Sequence, residues 1–154
     1  MSSAVELRLR ALNILLPEAP APAANYVPFV RSGDLLFVSG QISQSSEGLI
    51  KGRLGDTMDV VEGAEAARRC GLSLIAQARA ALDGDLGRVT RVVKLTGFVN
   101  STPDFTAQPK VINGCSDLMV AVFGDAGRHA RAAVSAPALP LGVAVEIEAI
   151  FEVA

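Results

Sequence analysis

Val143-Ala-Val-Glu-Ile-Glu-Ala-Ile-Phe-Glu-Val153 alternates with a period of two. Val145, Ile147, Ala149 and Phe151 fall on one side, and Glu146, Glu148, Ile150 and Glu152 on the other. That is the pattern of a β-strand with one face on a core and one turned outward. Upstream, Pro137-Ala-Leu-Pro140-Leu-Gly142 joins it to a shorter strand-like run, Ala130 to Ser135. Val89 to Asn100, apolar at Val92, Val93, Leu95, Phe98 and Val99, reads as another strand. Tyr26 to Arg31 and Asp34 to Ser39 flank Ser32-Gly33, a hairpin signal. The unbroken run Leu35-Leu36-Phe37-Val38 predicts a strand covered on both faces. Gly40 to Asp56 is polar and carries four glycines, which predicts a loop with room for a small hairpin.

Helical periodicity fills the gaps between these runs. Asp59-Val-Val-Glu62 fits a capping box. Val60, Ala64, Ala67, Gly71, Leu74, Ala78 and Ala81 then step by three or four, predicting a helix near 59–82 that Asp83-Gly84-Asp85 stops. Its small residues suit close packing on a sheet. Asp104 is placed to cap a second helix over 105–123, with Gln108-Pro109 near the first turn and Gly124-Asp-Ala-Gly127 at its end. Val5, Leu9, Leu12 and Leu16 also recur at helical spacing, and Pro17 to Pro28 holds four prolines. Residues 1–25 therefore read as a helical arm with an Ala/Pro connector, and 26–154 as one domain. The order β-β-α-β-α-β-β predicts an α+β fold: a mixed sheet with two helices on one face. Packing sheets around a symmetry axis would hide the other face.

Composition narrows the chemistry. Of 154 residues, 50% are hydrophobic and 19% charged, and the mean hydropathy is +0.38. No apolar run reaches the roughly 18 residues of a membrane-spanning helix, so the surplus must enter a dense core, a subunit interface, or both. The net charge of −2 offers no global attraction to nucleic acid or anionic membrane. One histidine, His129, excludes His-cluster zinc and two-His iron sites. Cys70 and Cys115 form no CxxC, which excludes a thiolate zinc site, and a lone bridge between them is disfavoured in a well-cored chain. The absence of tryptophan argues against an aromatic sugar cleft. Charges interleave with apolar residues in the first dozen positions, so a signal peptide is not expected and the expected location is the cytoplasm.

Arg131-Ala-Ala-Val134, Leu139-Pro140 and Val145-Glu146-Ile147-Glu148 together resemble the C-terminal signature of the RidA family, also called YjgF/YER057c/UK114 or L-PSP endoribonuclease. Tyr26 with Ser39-Gly40-Gln41 is similar to the family's N-terminal tyrosine and Ser-Gly-Gln strand end, and Val93-Lys94-Leu95 with Phe98-Val99 to its central strand. The resemblance spans 26–153. Phe123-Gly-Asp-Ala-Gly127-Arg-His129-Ala-Arg131 looks like a less characterised branch. His129, Pro137, the N-terminal arm and a longer loop before the second helix depart from the family pattern, so the family's cleft asparagine matches Asn113 only loosely.

The resemblance implies a chorismate-mutase-like fold, a homotrimer, and three clefts at subunit interfaces. The activity it implies is hydrolysis of reactive enamines and imines of the 2-aminoacrylate/2-iminopropionate type, to a keto acid and ammonia, with no cofactor and no metal. Arg131 would hold the substrate carboxylate, since a guanidinium fork matches a carboxylate in two places. An ion pair with Glu146 or Glu148 is the structural alternative. Glu146, fifteen residues on, would position the water and move protons, with Glu148 its neighbour on the same side. Tyr26 would stack on a small planar ligand, Ser39 and Asn113 would line the cleft, and Ala133 would offer backbone groups. Ser39 lacks the surroundings of an activated nucleophile. His129 is either a second acid/base or a satisfied interface histidine; Cys115 is either a cleft thiol or a small buried hydrophobe. Three functions follow: an enamine/imine deaminase, a non-catalytic trimeric module binding a small carboxylate, and RNA cleavage. The last is disfavoured by charge and by an aromatic content of 5%.

Overall fold

The computed structural model describes residues 2–154, so Met1 of the expected arm lies outside the described residues. The chain runs α1 (Ala4–Ala11), β1 (Phe29–Ser32), β2 (Leu35–Ile42), β3 (Gln44–Ser45), β4 (Gly48–Leu49), α2 (Val60–Ala81), β5 (Val89–Asn100), α3 (Gln108–Phe123), β6 (Ala130–Ala136) and β7 (Val145–Val153). Five strands form one sheet in the order β1-β2-β7-β5-β6, and β3 and β4 pair as the small hairpin. Only β5 and β6 are parallel. They are the pair joined through a helix, α3, as a parallel crossover requires.

α2 forms because its apolar stripe meets the sheet and its start is capped. Glu62 N–H donates to the Asp59 carboxylate at 2.8 Å, and Asp59 N–H donates back to the Glu62 side chain at 3.3 Å. Asp83 at φ +53 and Gly84 at φ +91 turn the chain out of it. α2 and α3 lie side by side on one sheet face. They approach so closely that a Cβ on Gly114 would run into the Ala64 carbonyl, and one on Gly71 would meet Leu118 and Cys115. Leu36, Leu74, Leu95, Ile112, Ile147 and Phe151 are fully buried between the layers. Val5, Leu9 and Leu16 of the arm join the same core, so the arm is part of one hydrophobic unit. No helix among the described residues is long and apolar enough to cross a membrane.

Three local expectations change. α1 stops at Ala11; Asn13 takes φ +54, Leu12 turns outward at 45% exposure, and Leu16 is buried by extended chain instead of by a helix. α3 starts at Gln108 behind an uncapped Ala107, so Asp104 is not its cap. Phe37 is 42% exposed where its run predicted cover on both faces. It lies on the face without helices. There, Val30, Phe37, Ile150 and Lys94 form one row across β1, β2, β7 and β5, and Ile42, Glu146, Phe98 and Val134 form another across β2, β7, β5 and β6.

Candidate functional site

Glu146 sits on this helix-free face at a break in the sheet. Val38 pairs with Ala149 and Gln41 with Ile147, so Ser39 and Gly40 of β2 oppose the single residue Glu148. Such a bulge bends the strand and opens space beside it. Gly40 supplies the rest of the room: a Cβ there would stand 3.0 Å from Glu146 Oε1. The carboxyl borders an open cavity of about 840 Å³ whose walls are Pro20 to Ala24 and Tyr26 of the connector, Gly40 to Ile42, and Pro140 and Leu141. Leu141 holds φ +60, a left-handed conformation unusual for leucine, while 60% exposed at this rim. Burial pushes the Glu146 carboxyl above its ordinary range, and the nearby Glu148 charge adds to the rise.

A chain of amides fastens the connector over this cavity. Gln77 of α2 is buried and donates from Nε2 to the Pro20 carbonyl at 2.6 Å, with Gln41 Oε1 3.4 Å away. Gln41 Nε2 donates to the Ser39 carbonyl at 2.9 Å, and Ser39 Oγ donates to the Val27 carbonyl at 2.8 Å. Ser39 thus ties down the segment after Tyr26, and its neighbours Gly40 and Gln41 line the cavity in its place. Tyr26 is 47% exposed at the wall.

Arg131 lies on the opposite face. It shares a row with Leu95 and the buried Ala149, on the helix side of the sheet. Its Nη1 donates to Ser116 Oγ at 3.0 Å and its Nη2 to the Pro109 carbonyl at 3.2 Å. Asn113, exposed on α3, falls between those two contacts at helical spacing. Ala133, two residues beyond Arg131, packs partly on the core. β6 is an edge strand, so its outer side presents backbone groups that no other strand of the chain pairs. Among the described residues the ion pairs are Glu65–Arg69 and Asp125–Arg128. The structural alternative for Arg131, a pair with Glu146 or Glu148, is therefore not formed. One chain brings Tyr26 and Glu146 together, and separately Arg131, Asn113 and Ala133; it does not bring the two groups together.

His129 belongs to the Arg131 group. Nδ1 lies 2.6 Å from the Gly127 carbonyl and Nε2 lies 2.9 Å from Ser116 Oγ. Cys115 and Cys70 are unpaired and fully buried. Burial pushes the Cys115 thiol up to about 12 even with the Arg131 charge opposing it, and burial raises Cys70 as well. Neither is a reactive cleft thiol. Sequence reasoning missed Ser116 and Gln77 and carried Gln41 only within the Ser39-Gly40-Gln41 strand end, with no role of its own. Of the two missed residues, Gln77 left a signal, as an amide three residues from Leu74 beside the helix's apolar stripe.

Known proteins resemble this chain over nearly its whole length. The profile of the family described as "YjgF/chorismate_mutase-like, putative endoribonuclease" matches residues 6–152. The chain is 52% identical to Protein TCP17 of Trypanosoma cruzi over 98% of its own length and 95% of that protein's. It is similar to the crystal structure of Atu1372 from Agrobacterium tumefaciens, a protein described as of unknown function, with 47% identity, 98% and 94% coverage and a TM-score of 0.89. It is similar also to a Shewanella oneidensis structure described as a "putative endoribonuclease", with 35% identity, 97% and 99% coverage and a TM-score of 0.92. All three likenesses include the N-terminal arm.

Proposed function

Because the chain belongs to the YjgF/RidA family of chorismate-mutase-like proteins, we propose that it hydrolyses small enamines and imines of 2-oxo acids at clefts formed between copies in a homotrimer. The observation that carries this reading is the state of Arg131. Arg131 is half-buried, its guanidinium is held by two neutral acceptors, and it meets no carboxylate among the described residues. Two of its five N–H donors are spent, which leaves a fork for a ligand carboxylate. Glu146, in its cavity on the other face, supplies the proton-moving group.

The chemistry balances without a cofactor. An enamine first tautomerises to its imine, a proton passing from nitrogen to the terminal carbon. Water then adds to the C=N carbon, and Glu146 takes one of its protons and delivers it to nitrogen. The resulting carbinolamine collapses: Glu146 carries its hydroxyl proton to the nitrogen, the C–N bond breaks as the C=O bond forms, and ammonia departs from the keto acid. Glu146 must be ionised to accept the first proton. Its raised carboxyl should therefore cost activity, as pH falls, earlier than an ordinary glutamate would. The experiment is ammonia release from 2-aminoacrylate generated in situ, with and without the protein. Acceleration supports the deaminase. Binding of pyruvate with no acceleration would make the protein a carboxylate-binding module. RNA cleavage, the activity named in the family's description, is disfavoured by a net charge of −2, which gives a phosphate backbone no global attraction.

A further inference from the structure

We infer that Ser116 and His129 are positioning residues that lock the Arg131 guanidinium in its ligand-ready orientation, His129 acting through the Ser116 hydroxyl. The inference rests on the reading of Arg131 as the carboxylate anchor and deepens it.

The lock can be followed atom by atom. Gly127 lies so close to α3 that a Cβ there would run into the Met119 carbonyl, so its position is fixed by the helix. The Gly127 carbonyl can only accept, and His129 Nδ1 lies 2.6 Å from it; Nδ1 therefore carries a proton. In the neutral ring Nε2 is then an acceptor, and at 2.9 Å it takes the Ser116 O–H. With its proton committed, Ser116 Oγ turns a lone pair to Arg131 Nη1 at 3.0 Å. The other nitrogen, Nη2, is held by the Pro109 carbonyl, two turns earlier on α3. Both Nη atoms are thus pinned to one helix, and the plane of the fork is set before any ligand arrives. Without His129 the Ser116 hydroxyl has no fixed partner for its proton, the side chain is free to change rotamer, and the restraint on Nη1 loosens. Preorganisation of this kind shows as affinity, because a bound carboxylate need not first order the arginine.

The test has two arms. In the first, ¹⁵N NMR of the arginine side chains is recorded on the ligand-free protein, with Arg131→Lys assigning the signal. The lock predicts hindered rotation with separate Nη signals in wild type and in Ser116→Thr, and averaged signals in Ser116→Ala and His129→Ala. In the second, pyruvate is titrated, with pyruvamide as the control lacking a carboxylate. Ser116→Ala and His129→Ala should each weaken pyruvate binding about tenfold, the double variant should be no worse than Ser116→Ala, and pyruvamide should be indifferent. Losses that add in the double variant, or a His129→Ala protein whose Arg131 signals stay resolved, would overturn the inference. Failure of wild type to bind pyruvate would instead refute the carboxylate reading, while the NMR arm still decides whether the lock exists.

Discussion

Arg131 shows how much of a site can be set by neutral neighbours. Because its partners are a hydroxyl and a carbonyl, its charge stays uncompensated within the chain. Arg131→Lys keeps the charge and loses the fork. We expect ligand affinity or kcat/KM to fall roughly ten- to over a hundredfold, the loss of one charge-assisted hydrogen bond, while the melting temperature barely moves. Pyruvate titration beside a thermal melt checks both halves. Glu146 gives a pH signature. Its carboxyl is raised in the folded chain, so folding favours its protonated form. The associated stability is full below the ordinary glutamate pKa of about 4.3 and is lost as pH rises through the folded value. Glu146→Gln should therefore melt higher than wild type at neutral pH and lose that advantage near pH 4, with pyruvate binding kept and turnover lost. Equal melting curves at both pH values would contradict the burial argument.

At the scale of elements, the contact between α2 and α3 depends on a missing methyl. Gly114→Ala would drive Cβ into the Ala64 carbonyl, a backbone atom that cannot swing away. Overpacking of this kind costs about 1–3 kcal/mol, read as a lower urea midpoint. The arm contributes through Val5, Leu9 and Leu16, each worth about 1.5–3 kcal/mol when fully buried, before ordering costs. Removing residues 2–24 also takes the Pro20 carbonyl from Gln77. Thermal unfolding should occur several degrees lower, at roughly 2–4 °C per kcal/mol; unchanged melting would mean the arm is undocked in solution. α2 and β7 were legible in the sequence because their periods are long and unmixed, and β5 because β-branched and apolar residues fill it despite its broken alternation. The apolar spacing of the arm ran past the true end of α1, since spacing cannot register that Asn13 turns left-handed. Phe37 was misjudged because an apolar run does not say which face a helix will cover. Arg131, Glu146 and Asn113 were reached through resemblance to a family, and their grouping onto two faces was not. Ser116 and Gln77 act through contacts 15 and 57 residues away in sequence, so a local pattern, even the amide of Gln77 beside an apolar stripe, does not name their partners.

The whole molecule has a surface that a lone chain leaves unfinished. Val30, Phe37 and Val134 are 52%, 42% and 45% exposed on the helix-free face, and the two halves of the candidate site lie on opposite faces of the sheet. A rotationally symmetric assembly would answer both facts, covering the apolar face and setting Arg131 of one copy beside Glu146 of the next. Light scattering should then give about three times the 16.0 kDa chain mass. A more direct measurement combines two impaired proteins. Arg131→Lys and Glu146→Gln are co-expressed and the imine-hydrolysis rate of the mixture is compared with that of each alone. With Arg131 and Glu146 drawn from different copies, random assembly restores about a quarter of the clefts to wild type, and activity returns to that extent. If both residues serve the same cleft from one chain, every cleft in the mixture carries one defect and no activity returns.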